Sequence, residues 1–176
     1  MKIPLTQAIL CEGKHDVQRL QGIFDTLILP THGFQIYNNT ARRKLLVKLA
    51  QQRGLIIVTD NDPAGMQIRK FVSQGIPAEQ ITHVFVPRAT IEVEDTDNAV
   101  ILQAFERAGL VGMTALGHPK CVDKLSLYRD GFSGKPGAKA RYQALLHALD
   151  LPEHLSVNHF CAIVTQEEYD ANRPRL

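Results

Sequence analysis

Three carboxylates stand where this sequence can do chemistry: Glu12 directly after the apolar run QAILC (7–11), and Asp60 and Asp62 directly after LIIVT (55–59). Residues two apart on extended chain point to the same side, so Asp60 and Asp62 can share one face. If the two runs are neighbouring strands, Glu12 arrives at the same edge. Three acids converging there repel one another unless a cation stands between them. Oxygen-only ligands select a hard ion, magnesium or manganese, over zinc. Such an ion on a phosphodiester polarises the phosphoryl group, generates hydroxide and stabilises the leaving oxygen. Each acid also has an ordinary reading. Asp62 before Pro63 suits a helix N-cap, Glu12–Gly13 a strand-to-helix turn, and Lys14 or Asp16 a helix-start charge.

The elements that must position these acids alternate along the chain. QAILC reads as a strand, and Val17, Leu20, Phe24 and Leu27 recur behind it at helical spacing. LIL (27–29) reads as a second strand, closed by Pro30. Asn39 or Thr40 can cap a helix over 41–53, with Leu45, Leu46 and Leu49 as its buried stripe and Gly54 as its stop. LIIVT is apolar almost throughout, which suits a central parallel strand covered on both faces. Pro63 fits the first turn of a helix running to about Gly75. ITHVFV (81–86) reads as another strand and DNAVILQAFERAGL (97–110) as another amphipathic helix. Repeated βα order predicts an α/β fold over 1–112: an open, mostly parallel four-stranded sheet with helices on both faces. Ligands bind such sheets at the carboxyl ends of strands, where strand order reverses. From Met113 the alternation stops. Helical stretches at 120–129, 137–149 and 166–172, broken by HP, DGFSGKPG and LPEH, predict a small helical accessory domain over 113–176.

Composition sets outer bounds. With 176 residues, 44% of them hydrophobic, the chain can fill a domain of ~100–150 residues and a short appendage. Wholesale disorder is excluded. No apolar run approaches the ~20 residues of a membrane-spanning helix, and the N-terminus reaches charged residues too soon for a signal peptide. Cys11, Cys121 and Cys161 lie far apart and form no CxxC, which excludes a zinc ribbon. Their odd number suits a reducing compartment, so the expected location is the cytosol. A net charge of +2 permits a nucleic-acid partner without demanding one. Basic residues gather in ARRKLLVK (41–48) and GKPGAKAR (134–141). Arg42, Arg43, Lys44, Lys135, Lys139 and Arg141 are therefore candidates for tracking a phosphate backbone, although a solvated helix face is the plainer reading of each run. Phe34, Tyr37 and Phe132 can stack on unpaired bases, but core or turn packing suits them better.

The boxes CEGKHD (11–16) and VTDNDPAGMQIRK (58–70) resemble the Toprim domain shared by topoisomerases, bacterial primases and several nucleases. Together with IEVED (91–95), they resemble the ribonuclease M-five family of bacterial 5S ribosomal RNA maturases. That family shows EGK-x-D, TD-x-D-x-x-G-x-x-I-R-K and a later VE pair. The resemblance runs over roughly 5–110. LYRDGFSGKPGAKARYQALLHALDLP (127–152) and TQEEYDA (165–171) resemble the family's accessory domain more distantly, with Thr165 and Glu168 set for a capping box. LSVNHFCAIV (155–164) departs from it, standing where the family carries a helix rich in lysine and arginine.

The resemblance implies a magnesium-dependent endoribonuclease, manganese being an alternative ion, that cleaves structured RNA. Precursor 5S ribosomal RNA would be its substrate, presented with help from a 5S-binding ribosomal protein. By motif, Glu12 would be a metal ligand or general base, Asp60 and Asp62 metal ligands, and Glu94 a further ligand. Lys14 would meet a phosphate or the developing charge. Gly13 and Gly65 would let backbone approach the metal or phosphate. The alternatives are a Toprim nuclease acting on DNA and a non-catalytic nucleic-acid-binding module. A topoisomerase would need a tyrosine-bearing domain and a primase a zinc module. A phosphoacceptor receiver would want paired acids at the first strand and a lysine after a fifth.

Overall fold

The computed structural model describes residues 2–31, 40–86, 97–110 and 121–173. Two compact units divide the chain, 1–118 and 119–176.

In the first unit, β1 (Ile3–Pro4) precedes β2 (Ala8–Cys11), α1 (Lys14–Ile23), β3 (Phe24–Asp25) and β4 (Ile28–Pro30). Then come α2 (Thr40–Arg53), β5 (Leu55–Thr59), α3 (Pro63–Ser73), β6 (Ile81–Phe85) and α4 (Asn98–Arg107). Among the described residues the main sheet has four parallel strands in the order β4-β2-β5-β6. The chain therefore steps outward from β2 to β4, returns to β5 beside β2, and leaves the other way to β6. Strand order reverses between β2 and β5, where Ala8, Ile9 and Leu10 pair with Leu55, Ile56 and Ile57.

Both inner strands are buried on both faces, which is why their sequences are apolar runs rather than alternations. Ile9, Cys11, Ile56, Val58 and Val84 share one core with Leu20 and Ile23 of α1 and Ile101 and Phe105 of α4. The buried Leu45, Leu46 and Leu49 of α2 and Ile68 and Val72 of α3 lie outside that core, on helices packed against β5. Gly54 ends α2 with φ of +78°, a turn that costs other residues strain.

The helix expected from Val17 to Leu27 is shorter than its apolar spacing predicts. It ends at Ile23, and Phe24 turns extended to pair with Ile3 in a two-stranded parallel sheet that the apolar spacing does not foretell. Phe24 is 1% exposed, its ring centroid 4.2 Å from that of Phe105. An apolar residue four positions after Leu20 satisfies a helix or a buried strand equally, and packing on α4 decides between them.

The second unit holds α5 (Lys124–Arg129), α6 (Ala138–Ala148), α7 (Val157–Ile163) and α8 (Gln166–Asn172). Its core gathers Leu127, Leu145, Leu146, Phe160, Ile163 and Tyr169, all fully buried. Tyr169 meets Phe132 and Phe160 edge-on and donates from its hydroxyl to Asp130 at 2.9 Å. Phe132 is 2% exposed, a core residue rather than a stacking platform. Thr165 and Glu168 close the expected capping box. The helix α7 lies in LSVNHFCAIV, where the sequence shows only a departure from the family. Apart from Ala162 its residues are weak helix formers; burial of Phe160 and Ile163, with Ser156 accepting from the His159 N–H at 3.2 Å, carries it instead.

Candidate functional site

The carboxyl ends of β2 and β5 adjoin, which sets Glu12 within electrostatic reach of Asp60 and Asp62. Thr31, fully buried beyond β4, donates its N–H to the Cys11 carbonyl at 2.7 Å and its hydroxyl to the Glu12 carbonyl at 3.1 Å. The backbone at Glu12 is thus tied to the sheet. From there the Glu12 side chain crosses the reversal point, and its Oε1 accepts from the Asp60 N–H at 2.9 Å. Burial holds the Glu12 carboxyl above the usual carboxylate range. The Asp60 N–H opposes that shift, while the negative charges of Asp60, Asp62 and Asp16 add to it.

Asp62 takes the ordinary role foreseen for it as well: it caps α3, accepting from the Gly65 N–H at 2.7 Å, with Pro63 in the first turn. Asp16 accepts from the Gly13 N–H at 2.8 Å and closes the first turn of α1. Lys14 opens that helix and is exposed. Glu94, Phe34 and Tyr37 lie outside the described residues.

At Gly65, α3 lies directly against the acidic edge. A Cβ there would stand 2.3 Å from the Asp60 carbonyl oxygen, 2.8 Å from Thr59 Oγ1 and 3.1 Å from Glu12 Oε1. The first contact is with backbone, so no rotamer change relieves it. Gly65→Ala is expected to destabilise the domain by about 1–3 kcal/mol and to reduce cleavage more than the loss of folded protein accounts for. Thermal melting alongside cleavage rates checks this; a variant matching wild type in both would mean that α3 can retreat from the edge freely.

Among the described residues, no three His, Cys, Asp or Glu side chains are grouped to hold a metal ion by themselves. The donor chemistry nonetheless suits a hard divalent cation. Such an ion need not occupy an all-protein cage: one or two carboxylates suffice where water and phosphate oxygens complete its shell. An edge at which neighbouring acids raise the proton affinity of Glu12 is one that a cation relieves.

Sequence reasoning missed Arg69. Although it stands in the quoted TDNDPAGMQIRK box, a helical Arg before a Lys looks like a surface residue. It is 3% exposed. Its Nη1 donates to the Ile57 carbonyl at 3.0 Å and to His83 Nδ1 at 3.1 Å; its Nη2 donates to the Thr59 carbonyl at 3.1 Å and the Val84 carbonyl at 2.6 Å. A guanidinium has no acceptor, so His83 Nδ1 receives this bond. Burial pulls Arg69 down to about 10, against the attraction of Glu12, which raises it. One buried cation thereby ties the ends of β5 and β6 together beside the acids.

Arg42, Arg43, Lys135 and Arg141 are engaged within the chain. Arg42, pulled down by burial, reaches the Pro30 carbonyl at 3.5 Å. Arg43 donates to the Gln74 carbonyl at 3.0 Å and lies over the Phe71 ring. Lys44 is exposed on the same turn. In the second unit, Arg141 donates to the carbonyls of Gly131 and Pro136, and Lys135 donates to that of Arg129. Lys139 is exposed. No helix of the described residues is long and apolar enough to cross a membrane, and the three cysteines are free thiols.

The Toprim domain family matches residues 7–89, the span that carries β2, β5 and all three acids. A ribonuclease M5 from Borreliella burgdorferi is 32% identical over 145 residues, covering 81% of this chain and 77% of that protein. The chain belongs to the ribonuclease M5 family. Membership makes it a nuclease, an enzyme of phosphodiester chemistry, built on a Toprim domain. The ribonuclease M5 of Bacillus subtilis is 26% identical over 151 residues, covering 80% of this chain and 76% of the other. That of Mycoplasma pneumoniae is 29% identical over 111 residues, with 60% and 61% covered.

Proposed function

We propose that this chain is a cytoplasmic, divalent-metal-dependent endoribonuclease that matures precursor 5S ribosomal RNA, with Glu12, Asp60 and Asp62 as its ion-holding edge. The observation that carries the reading is the reach of Glu12 across the β2–β5 reversal point to the Asp60 amide, in a chain of the ribonuclease M5 family. Magnesium, or manganese in its place, would supply charge to the phosphoryl oxygens and a more acidic bound water. The chain's own residues orient the reaction. The Asp60 amide pins one Glu12 oxygen at the edge, the Asp62 cap fixes the start of α3, and Arg69 holds the floor beneath both. Glu94 would add a ligand. Lys14, at the N-terminus of α1, would meet a phosphate, and a 5S-binding ribosomal protein would present the RNA.

The test is cleavage of end-labelled precursor 5S ribosomal RNA with magnesium, with manganese and with chelator, each with and without the 5S-binding ribosomal protein. Cleavage at a single position, abolished by chelation, is the expected result. Metal-dependent cutting of DNA with this RNA left intact would transfer the site to the other substrate class. No cutting of either, with folding and metal binding intact, would leave a binding module.

The basic runs have a separate prediction. Lys44→Ala and Lys139→Ala should each flatten the dependence of log affinity on log salt by about one, because a lysine that no longer meets a phosphate no longer releases its counterion. Filter binding across a salt series checks it. An unchanged slope in both variants removes these runs from the RNA interface.

A further inference from the structure

Phe85 ends β6 with 46% of its surface open to solvent, in a strand whose neighbour Val84 is fully buried. It pairs in register with Thr59, so it stands one residue short of Asp60 across the sheet. The Arg69 guanidinium lies 4.1 Å from the centroid of its ring, and that guanidinium is anchored on the carbonyls of Ile57, Thr59 and Val84. The ring is therefore backed by a buried, immobile cation. Covering Arg69 would need only an apolar side chain; an aromatic left half open offers more than cover. His83, two residues earlier with its ring centroid 6.3 Å from that of Phe85, is held in one orientation by Arg69 and extends the same surface.

We propose that Phe85 is a stacking platform for a nucleobase of the RNA strand at the acidic edge, placing a flanking nucleotide so that the scissile phosphate meets Glu12 and Asp60. This rests on the nuclease reading above and names the residue that would position its substrate. Every base has a π-face, so stacking tolerates sequence while fixing distance. A ring already clamped by a cation loses little freedom when a base arrives. Unpaired nucleotides beside the cleavage point are the chemistry this platform fits; a base locked inside a duplex presents no free face.

The experiment separates this from the nuclease reading by not depending on cleavage. Precursor 5S ribosomal RNA carrying 2-aminopurine at single positions on either side of the cut, or of the mature end if nothing is cut, is titrated with wild type, Phe85→Leu and Phe85→Trp. Leucine keeps apolar bulk over Arg69 and lacks the aromatic face, and melting temperatures confirm folding. At one position the fluorescence should be quenched by wild type and by Phe85→Trp but not by Phe85→Leu. Phe85→Leu should also raise KM by about 10-fold, with kcat changing less. Wild type should lose the same factor on RNA that is abasic there, where Phe85→Leu should lose nothing further. Quenching by Phe85→Leu equal to wild type, or binding with no quenched position, would overturn the proposal. Quenching without any cleavage would leave the platform standing and sink the 5S maturation reading instead.

Discussion

Asp60→Asn and Glu12→Gln should each reduce metal-dependent cleavage on the order of 10³-fold while leaving the domain folded. Several kcal/mol of transition-state charge stabilisation is what a bound ion provides, and about 4 kcal/mol corresponds to that factor. Both substitutions keep side-chain volume and a hydrogen-bonding carbonyl. In Glu12→Gln the new amide oxygen can still accept from the Asp60 N–H that Glu12 meets at 2.9 Å. They remove charge only. Because burial and the charges of Asp60, Asp62 and Asp16 all disfavour the Glu12 carboxylate, its removal should leave stability equal or slightly higher. Asp60→Asn likewise removes one of the repelling charges. Abolished cleavage together with an unchanged or raised melting temperature is the expected pair of results. Activity within about 10-fold of wild type in both variants, a barrier change of only about 1.4 kcal/mol, would take the chemistry away from this edge.

Arg69→Met should cost about 3–5 kcal/mol of stability, the largest effect expected from a single side chain here. Methionine approximates the length and bulk of arginine and donates nothing. The carbonyls of Ile57, Thr59 and Val84 lose a charged donor at the ends of β5 and β6. Hydrogen bonds to charged groups contribute about 1.5–3 kcal/mol each, and effects within one network do not simply add. Arg69→Lys should fall between the two, since a single ammonium cannot span two strand ends as a planar fork does. Urea midpoints for the three proteins check the order. Arg69→Met within about 1 kcal/mol of wild type, less than a single such bond contributes, would mean that the strand ends need no such tie. Activity should fall with stability, because Arg69 also offsets the negative charge beside it, as its attraction to Glu12 indicates.

Much of the frame was legible along the chain because it is encoded locally. An apolar run such as LIIVT suits a strand covered on both faces, and it is buried at every position. Asp62 before Pro63 announces a helix start and caps α3; Gly54 announces a stop and adopts the positive φ that ends α2. These patterns involve residues a few positions apart, where sequence and geometry are directly linked. The placement of acids after two strands was legible for the same reason.

Other features were decided only when distant segments met. That β5 returns to lie beside β2 is a matter of strand pairing, which leaves no mark in either strand. Without it Glu12 would not reach the Asp60 amide. The burial of Arg69 depends on carbonyls from two strands converging over α3, while locally the residue resembles any surface arginine. Gly65 reads along the chain as a place for backbone to approach a metal or phosphate, yet its constraint is the Asp60 carbonyl, 2.3 Å from where a Cβ would stand. Phe24 left its expected helix for a strand because Phe105, far along the chain, offered a ring to pack against. The sequence determined which residues stand at strand ends and which periods they follow. Tertiary structure decided which ends adjoin, because backbone pairing and side-chain packing across long loops are energies of contact with no local signature.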